Sequence, residues 1–379
     1  MNMKIIYCLP STFRMGGTER VVTAKANYLV THGYEVVIIT TDQGRQSSYF
    51  PLDERVQCID LNINYEKNST RPFLKKLFYF IYNRWLHRRR LKNVLMEQRA
   101  NIVISTFFNE QPIVPKIQDG SIKILEFHFS RVVFQYMQRQ GIYRWVEKWG
   151  ERQARKAISR YKKFVVLTVQ DADNWGNLPN TQVISNMITT KRGRISDGEN
   201  RRVIAVGRYE SIKGFDRLLS IWELVIKEKK DWTLHIYGKG SMRERLEEII
   251  DCKGLKTSAV LEGESSDLAE EYAKSSIFVL TSHYEGFGMV IVEAAAAGIP
   301  TVSFDCPCGP RNIIRDGQTG FLVEDGNIKK FADKLLMLMD DVNLRREMGR
   351  RAYEDSRQYL PEVVMKQWTE LFEEMVRTK

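Results

Sequence analysis

The chain has 379 residues, a net charge of +11 and five cysteines, with 43% hydrophobic and 28% charged residues. Such a length suits two domains, and the apolar share excludes a disordered chain. The odd, scattered cysteines exclude a disulfide framework and point to a reducing compartment, while the positive charge points to an anionic partner: nucleic acid, phospholipid or a phosphorylated substrate.

Lys4–Leu9 is an apolar run ended by Pro10 and predicts a buried strand. The loop after it holds Gly16 and Gly17, Thr18 is a candidate cap, and Arg20–Val30 predicts a helix stopped at His32-Gly33. Glu35–Thr41 is the next strand. The loop lacks the G-x-G-x-x-G pattern, which disfavours a nicotinamide enzyme. Arg71–Ala100 is helical and basic, with Arg84, Arg88, Arg89 and Arg90 set among Phe78, Phe80, Ile81 and Trp85. Two readings stay open for it: adsorption to an anionic membrane surface, or aromatics in the core with arginines solvated. Ile102–Thr106 and Ile122–Phe127 predict strands, and His128 follows the second. Arg131–Arg160 predicts a long basic helix, with Phe134 and Tyr136 among its aromatics. Phe164–Thr168 and Val183–Ser185 are further strands, and Asn186 follows the last. The polar piece Lys191–Arg201 reads as a linker.

The alternation then restarts. Val203–Val206, Thr233–Tyr237, Ala259–Glu262, Ile277–Leu280 and Pro300–Ser303 predict strands. Helices are expected over Gly214–Lys227, Met242–Ile250, Ile328–Met339, Asn343–Gln358 and Pro361–Arg377. Two such series predict an α/β protein of two doubly wound parallel-sheet domains. Cys306 and Cys308 have the wrong spacing for a usual zinc pair. No apolar run reaches the roughly 18 residues of a membrane span, and the apolar part of MNMKIIYCLPSTF is too short for a signal peptide. A cytoplasmic protein is expected, with attachment to the inner membrane face open.

Two stretches carry chemistry. In SHYEGFGMVIVEAAAAGIP (282–300), Glu285 sits in a glycine-rich turn and Glu293 lies in the helix that follows. Glycines there let backbone N–H groups approach a phosphate, and the carboxylates suit sugar hydroxyls. In GRYESIKGF (207–215), Arg208 offers a planar fork and Lys213 a mobile point charge after a strand, where open α/β sheets bind ligands.

With these pieces the chain resembles the retaining GT-B glycosyltransferases called family 4. The matching residues are Gly16-Gly17-x-Glu19-Arg20, His128, Asn186, GRYESIKG (207–214), YGKG (237–240), EGFGMVIVEAAAAGIP (285–300) and GPRNIIRDGQTGFLV (309–323). The resemblance implies two Rossmann-like domains facing across a cleft. The acceptor domain would span 1–188 with helix 361–379, and the nucleotide-sugar domain 189–360. It implies that Arg208 and Lys213 hold the donor diphosphate and stabilise the departing nucleotide, a charge-stabilising role. Glu285 would contact the transferred sugar, Glu293 the ribose, and His128 the sugar from the first domain. The donor set it implies further comprises Gly16, Gly17, Asn186, Gly207, Tyr237, Gly238 and Gly263. It continues with Gly286, Phe287, Gly288, Met289 and Val290 around the phosphates.

The function this implies is metal-independent transfer of a hexosyl or N-acetylhexosaminyl group, with no cofactor, from a nucleotide-sugar (UDP first, GDP second) to an acceptor hydroxyl. The acceptor would be a saccharide or a polyisoprenyl-diphosphate-linked intermediate of polysaccharide, capsule or O-antigen assembly. A GT-B phosphorylase, a sugar-nucleotide epimerase and an inactive GT-B partner are the alternatives. Nucleic acid is not an expected partner, since no nucleic-acid motif accompanies the cations. Lys239, in place of the usual acid of the YG-x-G turn, and Cys306-Pro307-Cys308 depart from the family pattern.

Overall fold

Apolar runs alternating with helical segments build two parallel sheets in a computed structural model that describes residues 3–66, 73–132, 143–190 and 193–378. The chain divides into two compact units, one of Met1–His128, Phe134–Thr189 and Val364–Lys379, the other of Phe129–Val133 and Thr190–Val363.

The first unit carries β1 (Lys4–Leu9), β2 (Glu35–Thr40), β3 (Gln57–Asp60), β4 (Ile102–Ser105), β5 (Ile122–Glu126), β6 (Lys163–Val166) and β7 (Thr181–Val183). They lie in the order β3-β2-β1-β4-β5-β6-β7, with every pairing parallel. Side chains alternate across the sheet. Ile5, Tyr7 and Leu9 therefore enter one core layer, and Ile6 and Cys8 the other. Helices Gly17–Thr31 and Pro361–Arg377 cover the first layer, the latter through Val364, Trp368, Leu371, Phe372 and Met375 at helical spacing. Helix Phe73–Gln98 covers the second through Leu91 and Leu95.

The second unit carries β8 (Arg202–Val206), β9 (Thr233–Tyr237), β10 (Ala259–Gly263), β11 (Ile277–Leu280), β12 (Thr301–Phe304) and β13 (Gly320–Val323). Their order is β10-β9-β8-β11-β12-β13, again all parallel. Val203, Ala205, Ile277 and Val279 face one layer, and Ile204, Val206, Phe278 and Leu280 the other. In each sheet the strand order reverses beside the first strand, between β1 and β4 and between β8 and β11. Ligands of doubly wound folds bind at the carboxyl ends of such strands.

Several elements differ from expectation. β3 and β13 are strands that the apolar patterns do not announce. β13 begins on Gly320, where a Cβ would come within 2.2 Å of the Thr301 carbonyl oxygen on the paired strand. The helix expected over Arg131–Arg160 is described only as Tyr143–Ile158. Phe134 and Tyr136 lie outside the described residues, as do Arg71, Lys191 and Arg192. The rest of the polar stretch to Arg201 is no free linker. Ser196 donates from its N–H to Ala297 O (2.9 Å) and from Oγ to Ser275 O (2.6 Å), and Arg345 Nε donates to Gly198 O (2.9 Å). These bonds tie it to the second unit. No helix among the described residues is long and apolar enough to cross a membrane.

Candidate functional site

The carboxyl ends of β8 and β11 each release a loop, and these loops carry the charged residues. After β8 the chain passes Gly207 and the exposed Arg208, then enters a short 3-10 turn, Ser211–Lys213. After β11 it runs from Thr281 through Glu285 to Gly288, which caps helix Met289–Ala296 with no side chain covering the helix end. The two loops are bonded together. His283 N–H donates to Ile212 O (2.8 Å), Thr281 Oγ1 donates to Lys213 O (3.2 Å), and Arg217 donates to the carbonyls of Thr281 (2.5 Å) and Ser282 (2.6 Å).

At their junction Lys213 Nζ lies 2.6 Å from Glu285 Oε1, which also accepts from Ser282 Oγ at 2.6 Å. The lysine is 20% exposed and the carboxylate 9%, so the pair is shielded but reachable. The Cys306–Gly309 loop after β12 backs the carboxylate, with Glu285 N–H donating to Pro307 O at 3.2 Å. Cys306 is buried there; burial first, and then the Glu285 charge, push its thiol pKa up, so it stays a neutral thiol. Arg208 has no carboxylate partner among the described residues. An exposed guanidinium on the loop that carries Lys213, bonded to the loop that leads into an uncapped helix, suits a phosphate dianion.

Glycine makes the neighbouring turn possible. Gly238, after β9, adopts φ +144°, and a Cβ there would stand 1.9 Å from Gly207 O. Tyr209 threads beneath these turns, donating to Ile236 O (2.8 Å) and accepting from Gly263 N–H (3.3 Å). The ends of β8, β9 and β10 are thereby joined. Lys239 faces solvent and pairs with Glu264 at 2.7 Å.

Other predicted residues lie deeper. Glu293 is buried one face into helix 289–296, where its Oε2 accepts from Tyr272 OH at 3.3 Å. Phe287 is buried, its ring edge-on to Tyr359 at 5.6 Å. Met289 and Val290 are half-buried in the helix's first turn, and Gly286 is half-buried in the loop before it. The Tyr237 hydroxyl is engaged in a network, donating to Glu271 (2.5 Å) and accepting from Arg202 (2.6 Å). Burial opposes the Glu271 charge, but the bonds from Tyr237 and Arg202 hold its pKa down at about 2.

In the first unit, Gly16 precedes helix Gly17–Thr31 in extended conformation, and Gly17 has open space where a side chain would stand. His128 follows β5. Its Nε2 is 3.3 Å from Glu126 Oε1, but neither ring nitrogen makes a hydrogen bond among the described residues. Burial lowers the His128 pKa to about 4 against the pull of Glu126, so the imidazole is neutral at pH 7. Glu126 is itself paired with the buried Lys25, whose Nζ sits 3.9 Å over the Trp368 ring. Asn186 is buried, and its Oδ1 has no partner among the described residues. No hydrogen bond or ion pair among those residues joins Gly16, His128 and Asn186 to one another.

Sequence reasoning named Arg208, Lys213, Glu285 and Glu293 but missed Ser282, Arg217 and Tyr272. Ser282 alone had a signal, a hydroxyl three residues before a glutamate. Among the described residues, no group of three His, Cys, Asp or Glu side chains is arranged to hold a metal ion.

Residues 188–355 match the family of glycosyl transferases group 1. That stretch is similar to a group 1 glycosyl transferase domain. A curated relative of this chain, the amylovoran biosynthesis glycosyltransferase AmsD of Erwinia amylovora, is 29% identical over 97% of this chain and 99% of its own length. Two solved structures share the fold. A TarM variant of S. aureus in complex with fondaparinux, alpha-GlcNAc-glycerol and UDP has a TM-score of 0.78 at 18% identity, covering 98% of this chain and 99% of that one. Anabaena HepE in complex with UDP has 0.76 at 17%, covering 98% and 100%. The fold of the glycosyltransferase is GT-B, with two Rossmann-like units.

Proposed function

We propose that this glycosyltransferase moves a sugar from a UDP-sugar to an acceptor hydroxyl of a saccharide, free or polyisoprenyl-diphosphate-linked, in polysaccharide assembly, with retention and without a metal ion. One observation carries the reading: the Lys213–Glu285 pair joins the loops after β8 and β11 at the switch point of the second unit, and the exposed Arg208 lies on the first of these loops. AmsD is named for amylovoran biosynthesis, and the TarM and HepE structures hold UDP.

In this reading the diphosphate takes Arg208, Lys213 and the N–H groups at Phe287–Met289, the cations supplying the charge that a metal would otherwise supply. Diphosphate oxygens compete with Glu285 for Lys213 and free that carboxylate for sugar hydroxyls, while Glu293 takes the ribose. The bond from C1 to the phosphate oxygen breaks as the acceptor oxygen bonds to C1 on the same face. The acceptor proton passes to the departing diphosphate. In the first unit, neutral His128 and Asn186 provide uncharged polar groups for sugar hydroxyls.

The test is a thermal-shift titration with UDP, GDP and their sugars in EDTA, followed by transfer assays. UDP should raise the midpoint, and Arg208→Ala or Lys213→Ala should lower turnover more than about tenfold, roughly 1.4 kcal/mol in the barrier. Full activity in both variants, or activity lost with EDTA and restored by magnesium, would refute the assignment.

A further inference from the structure

Helix Phe73–Gln98 leaves an apolar face uncovered. Five of the sixteen exposed large apolar side chains among the described residues fall in its short stretch 78–85. Single exposed apolar residues are ordinary, but a contiguous cluster marks an interaction surface. Phe78 is 67% exposed, Ile81 61% and Trp85 54%, with Tyr82 between them. Spacings of three and four put these residues on one side of the helix. The buried Asn83, His87, Leu91 and Leu95 define the opposite side, against the first unit's core.

Cations border the stripe. Arg84, Arg88 and Arg89 are exposed and have no carboxylate partner among the described residues. Arg84 and Arg89 lie 5.9 and 5.5 Å from the Phe80 and Trp85 rings. Arg90 differs, because it donates to Leu61 O (2.6 Å) and Asn62 O (3.1 Å) and anchors the helix. The helix has one acid, Glu97, near its far end. Other elements extend the positive field. Around Lys116 stand Arg84, Arg88, Lys156 and Arg160; its burial, then these four charges, lower its pKa.

We propose that the Phe78–Arg89 face is a docking surface for an anionic lipid bilayer. Aromatic and aliphatic side chains would enter the headgroup boundary while the arginines meet lipid phosphates, as interfacial helices do. The charge identifies the occupant. A second copy of this chain would set like charges against each other across the contact, and nucleic acid would leave the Phe78–Ile81–Trp85 stripe in water. This surface is independent of the nucleotide reading above.

Flotation of the full-length protein with vesicles tests it. The protein should float with phosphatidylcholine vesicles containing phosphatidylglycerol, and less at high salt. It should not float with phosphatidylcholine alone. The combined Arg84→Glu, Arg88→Glu and Arg89→Glu variant should lose at least tenfold in bound fraction. A Phe78→Ser, Ile81→Ser and Trp85→Ser variant should lose several-fold. Because all six side chains are exposed, the melting midpoint and the UDP-induced shift should not change, which separates a failure here from a failure of the donor assignment. Absence of flotation, equal flotation on neutral vesicles, or unchanged binding by both variants would overturn the proposal. So would a vesicle-free dimer that both variants dissociate.

Discussion

At the carboxyl ends of β8 and β11, Arg208 stands exposed and the Lys213–Glu285 pair is reachable from solvent. Near the same ends of the first sheet, several ionisable groups are withdrawn, although Arg14 on the loop after β1 is exposed. Lys25 and Glu126 are paired at 1% and 0% exposure, and His128 and Glu110 are buried beside β5 and after β4. Two sheets of like topology thus handle charge in opposite ways. The second unit leaves Arg208 open to solvent and Lys213 on a reachable carboxylate. The first pays for desolvation in its own fold and presents neutral groups. The proposed function gives the diphosphate to the former and uncharged hydroxyls to the latter.

The largest effect should come from breaking the buried pair. Lys25→Ala strands Glu126 in the core and removes the cation over Trp368, and loss of one buried partner costs about 3–5 kcal/mol. Urea denaturation should show this loss, and Glu126→Gln added to Lys25→Met should recover much of it. If Lys25→Ala costs no more than an exposed pair such as Arg201–Asp231 would, the first unit does not depend on withdrawn charge. In the second unit the vulnerable part is backbone instead. Gly238→Ala forces a Cβ against Gly207 O, and strain at such a site should cost about 2 kcal/mol. It should also weaken stabilisation by UDP, because the Gly207–Arg208 turn must move. An unchanged UDP shift would separate that turn from the anion site.

Much of this contrast was readable in the amino-acid order. β1, β9, β11 and the last helix, Pro361–Arg377, follow from apolar runs bounded by proline, glycine or polar residues. Arg208, Lys213 and Glu285 were recognisable because their motifs are local. β3 was not, since Gln57–Asp60 is a largely exposed edge with two polar ends. The contacts of Glu293 with Tyr272, and of Arg217 with the 281–282 carbonyls, join residues distant in sequence, which no periodicity encodes. The exposed side of helix Phe73–Gln98 was equally open, because an apolar stripe reads the same against a core or against a solvent-facing partner. Burial of Asn83 and His87 decides it.

The smallest effect tests the neutral character of the first unit through pH. Burial lowers the pKa of His87 and of His128 to about 4, and those of His235 and His283 also fall. The unfolded chain binds these protons first, so each histidine removes stability as pH falls below about 6.5. Glu110 has the opposite sign. Burial first, with Asp42 adding to it, raises its pKa to about 7. The folded chain therefore takes up that proton first, and the contribution of Glu110 is fully present below about pH 4.5 and lost as pH rises through 7. Between pH 7 and 6 the carboxyl offsets the histidines. Glu110→Gln removes the offset without adding charge. Its stability should fall by about 1 kcal/mol more than the parent's over that interval, measured by urea denaturation at both pH values. Equal pH slopes in the two proteins would mean that Glu110 is ionised in the fold, and that the first unit holds an uncompensated buried anion after all.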